Sequence, residues 1–240
     1  MKVMTGTLYM IPCPIADTPP YDVLPQGNRE IIRFLDYFIV ENVRSARRFL
    51  SAAGIGRSID ELLFAELNEH TRQQDIEQLI EPLLHGRSAG VISEAGVPGV
   101  ADPGAAVAAL AHDRGIRVVP LVGPSSILLS LMASGQNGQS FAFVGYLPVK
   151  PAERARALRA LEKRAFAEGQ SQIFIEAPYR NIKLLEQILS VCSPQTILTV
   201  ATDITSEGEF IRSRSIALWR TEPPADIGRK PTIFILGSRK

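Results

Sequence analysis

Ser93-Glu94-Ala95-Gly96-Val97-Pro98-Gly99-Val100-Ala101-Asp102-Pro103-Gly104 follows directly on the apolar run Ala89–Ile92 and leads into the alanine-rich stretch Ala105–Leu110. A short apolar run bounded by glycine and proline reads as a buried strand, and the stretch beyond it reads as a helix. Simple connections in α/β units take about 2 to 6 residues, so this longer one points to a function. Its glycines let backbone amides approach a ligand that side chains would block, and ligands of open α/β sheets bind at the carboxyl ends of strands. Glu94 suits ligand hydroxyls or a nearby cation. Asp102 and Pro103 have a plainer reading, as N-cap and first residue of the following helix.

Outward from this loop, apolar runs alternate with segments of helical period, the pattern of βα units around largely parallel sheets. In the first half, strands are predicted at Thr7–Ile11, Tyr37–Glu41, Ser88–Ser93 and Arg117–Leu121. Helices are predicted at Gly27–Leu35, Val43–Ala53, Arg72–His85 and Gly104–Arg114. The second half gives strands at Phe141–Val144, Ser171–Ala177, Thr196–Thr202, Phe210–Ser215 and Pro231–Leu236, with helices at Ser125–Ala133, Ala152–Phe166 and Asn181–Val191. This count suits two α/β domains, 1–122 and 123–240, meeting where a strand ends in a proline and glycine cluster between Val119 and Pro124. A second such cluster, Gly123-Pro124-Ser125-Ser126-Ile127, opens an apolar helix whose first amides suit a carboxylate, with Ser125 or Ser126 as N-cap.

A chain of 240 residues, 45% hydrophobic and 21% charged, can bury one or two cores and is not disordered. Its net charge of +1 makes any nucleic-acid face a local feature. Cys13 and Cys192 lack metal or disulfide spacing and are expected to be buried thiols. Met1–Ala16 has no sustained apolar stretch with a cleavage site, and no segment approaches the roughly 18 apolar residues of a membrane span, so a cytoplasmic protein with no membrane partner is expected. Gly54 and Gly56 follow a helix rather than a strand and read as a helix C-cap, so a Rossmann cofactor site is disfavoured. Neither a cluster of metal ligands nor a G-x-S-x-G elbow is present, and no metal is expected.

Leu8-Tyr9-Met10-Ile11-Pro12, Ser93–Gly104, Gly123-Pro124-Ser125-Ser126, Gly145-Tyr146-Leu147-Pro148 and Glu176-Ala177-Pro178-Tyr179-Arg180 together resemble the tetrapyrrole methylase superfamily. Within it they are most similar to the branch of small-subunit ribosomal RNA ribose 2′-O-methyltransferases, family I. The resemblance runs over nearly the whole chain with the motifs in order, and it implies a homodimer of two-domain subunits with S-adenosylmethionine in a cleft between the domains. Carried over by position, it implies cofactor contacts from Pro12, Glu94, Gly96, Val97, Ser126 and Ile127, and from Ala177 with Pro231, Thr232 and Ile233 through backbone groups. The chain departs from the branch at Ala16-Asp17, where glycine-asparagine is usual, at Asn42 in place of aspartate, and at Tyr179 in place of histidine. These changes lie more on the acceptor side than on the cofactor side.

Methyl transfer from a sulfonium is an in-line displacement in which the protein aligns the partners and excludes water. A ribose hydroxyl gains from a base, or from a cation beside the developing alkoxide. The catalytic candidates are Glu41 and Arg44, which match the family's acidic-arginine segment, and Tyr179 with Arg180, which follow a proline turn after a strand. Glu41 and Arg44 also read as a structural ion pair. Arg156, Arg159 and Lys163 fall on one helical face, which can track an RNA of the small ribosomal subunit or stand simply solvated. Two alternatives stay open: a small-molecule C- or N-methyltransferase of tetrapyrrole type, and a catalytically silent RNA-binding or ribosome-binding module.

Overall fold

The computed structural model describes residues 5–68, 71–224 and 226–238, and for 73 and 74 the backbone alone. Of the stretch read as lacking a leader, residues 1–4 lie outside the described residues. Two compact units emerge, Met1–Ser125 and Ser126–Lys240; the expected division lay after residue 122.

The first unit runs β1 (Thr7–Ile11), α1 (Pro20–Val23), α2 (Gly27–Phe34), β2 (Tyr37–Val40), α3 (Val43–Ala52), β3 (Leu63–Glu66), α4 (Gln73–Leu84), β4 (Ala89–Ile92), α5 (Gly104–Asp113) and β5 (Arg117–Pro120). Its sheet has the order β3-β2-β4-β1-β5, all parallel, with Tyr9 beside Gly90 and Val119, and Ile39 beside Val91. Alternating residues supply two cores. Leu8, Met10, Ile39 and Val91 pack with Ile80 and Leu83 of α4 and Val107 of α5. On the other face, Ile11, Phe38, Val40 and Ile92 pack with Ile32 of α2 and Leu50 of α3. Gly90 is required there, since a Cβ would fall 2.5 Å from the Cδ1 of Ile11. After α3, Gly54 takes φ 67° and its N–H donates to the Ser51 carbonyl, the glycine C-cap read from the sequence.

β3 was not foreseen. It is a short edge strand, and with Leu63 half-exposed its sequence carries little hydrophobic alternation. α5 begins at Gly104, where the helix was expected, but Pro103 is its N-cap rather than its first residue.

The second unit runs α6 (Ser126–Ser134), β6 (Phe141–Tyr146), α7 (Pro151–Glu168), β7 (Ser171–Ile175), a 3-10 turn at Pro178–Arg180, α8 (Asn181–Val191), β8 (Ile197–Thr202), β9 (Phe210–Ser215), α9 (Ile216–Thr221) and β10 (Thr232–Gly237). Here the expectation of a largely parallel sheet fails. In the order β6-β7-β10-β8-β9 only β6 and β7 are parallel; the other three pairings are antiparallel. For β8 and β9 the physical reason is connection length, because the residues 203–209 between them are fewer than the dozen or more that a parallel crossover needs. Phe174 and Phe234 stack on neighbouring strands with centroids 5.8 Å apart. Trp219 is fully buried beside them in the same cluster, and its indole N–H donates to the Leu198 carbonyl at 2.8 Å. α6 covers the opposite face, with Leu131 against Ile173, Ala201 and Ile235. Among the described residues, no helix is long and apolar enough to cross a membrane.

Candidate functional site

Because the first sheet is wholly parallel, the loops after β1, β2, β4 and β5 emerge along one edge. From β1 the chain passes beyond β4 to reach β2, and from β4 it passes beyond β1 to reach β5, so the gap between β1 and β4 is a topological switch point. Two hydrogen bonds close that gap: Cys13 N–H to the Gly96 carbonyl at 2.8 Å and Gly96 N–H to the Cys13 carbonyl at 3.2 Å. Gly96 takes φ 72° and Gly99 φ 81°, a region that side chains disfavour. At Gly123 the constraint is close approach, since a Cβ there would lie 2.3 Å from the Cγ of Pro12. The glycine- and proline-bearing bends after β1, β4 and β5 are therefore packed against one another. Beside them lies a cavity of about 530 Å³ lined by Cys13, Ile15, Asp17, Ser45, Phe49, Ser93 and Glu94.

Carboxylates collect at this edge. The Ser93 hydroxyl donates to Glu41 Oε1 at 3.3 Å, and that of Ser45 to Glu94 Oε2 at 3.4 Å. Partial burial raises the Glu41 carboxyl above its ordinary value, helped by the charges of Asp102 and Glu94 and opposed by hydrogen bonds from Ser93 and the Glu94 backbone. Asp102 Oδ1 accepts the amides of Gly99 and Gly104, each at 2.7 Å, so it ties the loop to the start of α5. Ala101, between those anchors, takes φ 61°, a strained value for alanine.

Glu41 and Arg44 do not form the ion pair that the sequence allowed; the described ion pairs place Arg47 on Asp60 and leave Arg44 out. Arg44 instead joins Arg47 and Arg48 around an open depression of about 590 Å³ that also touches Glu41 and Glu66. Asn42 caps α3, its Oδ1 accepting from Arg44 N–H at 2.9 Å and Ser45 N–H at 3.1 Å. An aspartate would cap equally well, which accounts locally for this departure from the family pattern. Burial pushes both thiols up, Cys13 strongly and Cys192 to about 12, so both are inert buried groups.

In the second unit the candidates also gather. Asn181 donates to the carbonyls of Ile227 and Lys230 at 3.2 and 2.7 Å and to Thr232 Oγ1 at 3.1 Å, while Arg229 N–H donates to the Pro178 carbonyl at 3.1 Å. The turn at Ala177 is thereby held beside Pro231 and Thr232. Ile127, next to Ser126 at the start of α6, packs in the cluster that holds Ile175 and Ile233. The Thr232 hydroxyl is already committed to Thr202, Asn181 and the Lys230 carbonyl, and the Pro231 carbonyl accepts from Asp203 N–H at 3.0 Å.

Tyr179 and Arg180 belong to a network that the sequence did not reveal. Glu176 is buried, and its Oε1 accepts from Ala177 N–H at 2.7 Å and from Arg180 Nε at 2.8 Å. Arg154 of α7, also buried, lies 3.7 Å from Glu176 Oε2 and bonds to Gln187. Glu176 stands inside the quoted Glu176–Arg180 motif and could have been singled out, whereas nothing in a charged helix marks Arg154 as the buried arginine. Arg156, Arg159 and Lys163 are exposed, and the described ion pairs of α7 involve Lys150, Arg154 and Arg164 instead. Glu162 turns away from the stripe to accept from Ser193 N–H at 2.7 Å.

No family model matches the chain. It is 32% identical over 211 residues to the ribosomal RNA small subunit methyltransferase I of Escherichia coli O157:H7, covering 88% of this chain and 70% of that protein. To the protein of the same name from Xylella fastidiosa it is 29% identical, covering 96% and 80%. Among solved structures, the methyltransferase CobJ superposes with a TM-score of 0.65 at 15% identity, over 98% of this chain and 97% of that one. Uroporphyrin-III-C-methyltransferase from Thermus thermophilus gives 0.56 at 16% identity, over 97% and 92%. These two likenesses show the fold: two α/β domains of the tetrapyrrole methylase type.

Proposed function

The chain belongs to the ribosomal RNA small subunit methyltransferase I family, and from that membership we propose that it methylates a ribose 2′-hydroxyl of small-subunit ribosomal RNA using S-adenosylmethionine. The observation that carries this reading is the partly buried Glu41 carboxylate at the carboxyl edge of a parallel sheet, beside the cavity at the β1–β4 switch point. A ribosomal RNA acceptor entails work in the cytoplasm.

The cavity fits the cofactor's chemistry. Ile15 and Phe49 offer apolar surface to a heterocycle, and Asp17 and Glu94 offer carboxylates to hydroxyls or an ammonium group. When bound, S-adenosylmethionine supplies a methyl group activated by its sulfonium. Glu94 accepts hydrogen bonds from ligand hydroxyls, and the positive-φ glycines Gly96 and Gly99 keep the loop free of side chains that would crowd the ligand. Glu41 takes the ribose hydroxyl proton on a carboxylate oxygen as that hydroxyl oxygen gains the methyl. Its raised pKa makes it a stronger base than an ordinary carboxylate. Arg44, with Arg47 and Arg48, suits the phosphates flanking the acceptor ribose. The exposed Arg156, Arg159 and Lys163 of α7 suit phosphates of the RNA as well.

The test is incubation with radiolabelled S-adenosylmethionine and small ribosomal subunits that lack the modification, followed by mapping of the labelled nucleotide. Label confined to one 2′-O-methylribose is expected. Absence of label from the RNA would end this reading.

A further inference from the structure

Two tyrosines of the second unit present their rings to solvent. Tyr179 is 71% exposed and Tyr146 61% exposed. In register, Tyr146 of β6 lies opposite Ile175 of β7, the residue before Glu176, and Gly145 at φ 67° bends the strand just ahead of it. Tyr179 is held rather than loose: Arg180 Nη1 donates to its hydroxyl at 3.1 Å, and the guanidinium carbon sits 5.1 Å from the ring centroid. The same guanidinium is fixed on its other side by Glu176, with Nε and Nη2 at 2.8 and 2.7 Å from Oε1. Tyr146 emerges at the end of β7 from which the Glu176–Arg180 turn departs.

Glu176 explains why this surface is built as it is. Its side chain is fully buried, and among the described residues Oε2 has no hydrogen-bond partner, with Arg154 Nη1 3.7 Å away. A buried pair of this kind brings little net stability over an apolar substitute, because desolvation offsets the attraction. Orientation is what it does supply, since it holds one arginine and, through it, one tyrosine at the surface. Exposed aromatic rings beside a guanidinium plane match the π-faces of unstacked bases in single-stranded RNA. The charge matches too: Lys183 and Arg229 are exposed around the same turn, and the described ion pairs include neither.

We infer that Tyr146, Tyr179 and Arg180 form a stacking platform for an unpaired base of the RNA acceptor, with Glu176 and Arg154 as positioning residues behind it. The inference rests on the RNA reading above and gives that reading a recognition surface.

The probe is a single-stranded RNA oligonucleotide carrying 2-aminopurine, whose fluorescence is quenched on stacking. The intact chain should quench it. Tyr179→Ala and Tyr146→Ala should lose the quench and bind about tenfold to a hundredfold more weakly. Tyr179→Phe and Tyr146→Phe should keep both, since the ring face remains. Glu176→Gln, checked for folding by circular dichroism, should reduce the quench in proportion to the loss of the Arg180 anchor. No quench by the intact chain, unchanged binding by both alanine variants, or equal loss in the phenylalanine variants would overturn the platform. Methyl transfer to ribosomal subunits is scored separately. Quenching without label sinks the transferase reading and leaves the platform; label with unaltered RNA KM in the alanine variants does the reverse.

Discussion

At the edge of the first sheet, carboxylates stand together. Glu41, Glu94 and Asp102 are held by serine hydroxyls and loop amides, with the arginines of α3 around a neighbouring depression. In the second unit the arrangement is inverted: one carboxylate, that of Glu176, is sealed inside and two arginines close on it. The difference teaches what each cluster is fit to do. Partial burial, aided by neighbouring carboxylates, raises the proton affinity of Glu41 and makes it a base, whereas a neutralised buried pair fixes a geometry.

The contrast breaks first at Glu41. Glu41→Gln should lower kcat about 10²- to 10⁴-fold, the usual contribution of a general base, with cofactor affinity by calorimetry unchanged. A wild-type kcat would remove the base from the first cluster. The pH dependence sharpens the point. Folding raises the Glu41 carboxyl, so the native state favours its protonated form. The stability tied to that proton is present below the ordinary carboxylate range and lost as pH rises through the raised value. Glu41→Gln, neutral throughout, should therefore raise Tm relative to the parent at pH 8 and not at pH 4. Equal shifts at both values would show that Glu41 is unperturbed.

The second cluster should answer in stability. Glu176→Ala leaves the buried Arg154 without its counter-charge and should cost about 3–5 kcal/mol in urea denaturation. A loss of about 1 kcal/mol or less, typical of an exposed pair, would mean the network is superficial. The smallest effect falls on the cap: Asn42→Ala should cost about 1 kcal/mol, and Asn42→Asp should restore the parent stability. If the aspartate variant were as unstable as the alanine one, Asn42 would serve something other than the start of α3.

Much of this architecture was legible beforehand. β1, β9 and α8 lie where hydrophobic period and bend residues put them, and the Ser93–Gly104 loop sits at a strand end as read. The spacing of β8 and β9 already rules out a parallel crossover between them, a signal present in the sequence. Ala101 shows the opposite case, because nothing about an alanine announces a left-handed φ; only its anchorage between the two amides bound by Asp102 imposes it.

What the sequence determined by itself is therefore local: strands, helices, caps, and the bends where backbone replaces side chain, all set by residues within a few positions of one another. Tertiary structure alone decided that Ser93 meets Glu41 across 52 residues, that Ser45 meets Glu94 across 49, and that Arg154 rather than its exposed neighbours on α7 lies against Glu176. Those contacts depend on strand order and helix rotation. Both are fixed by burial of whole faces, a collective property that no short stretch of residues encodes.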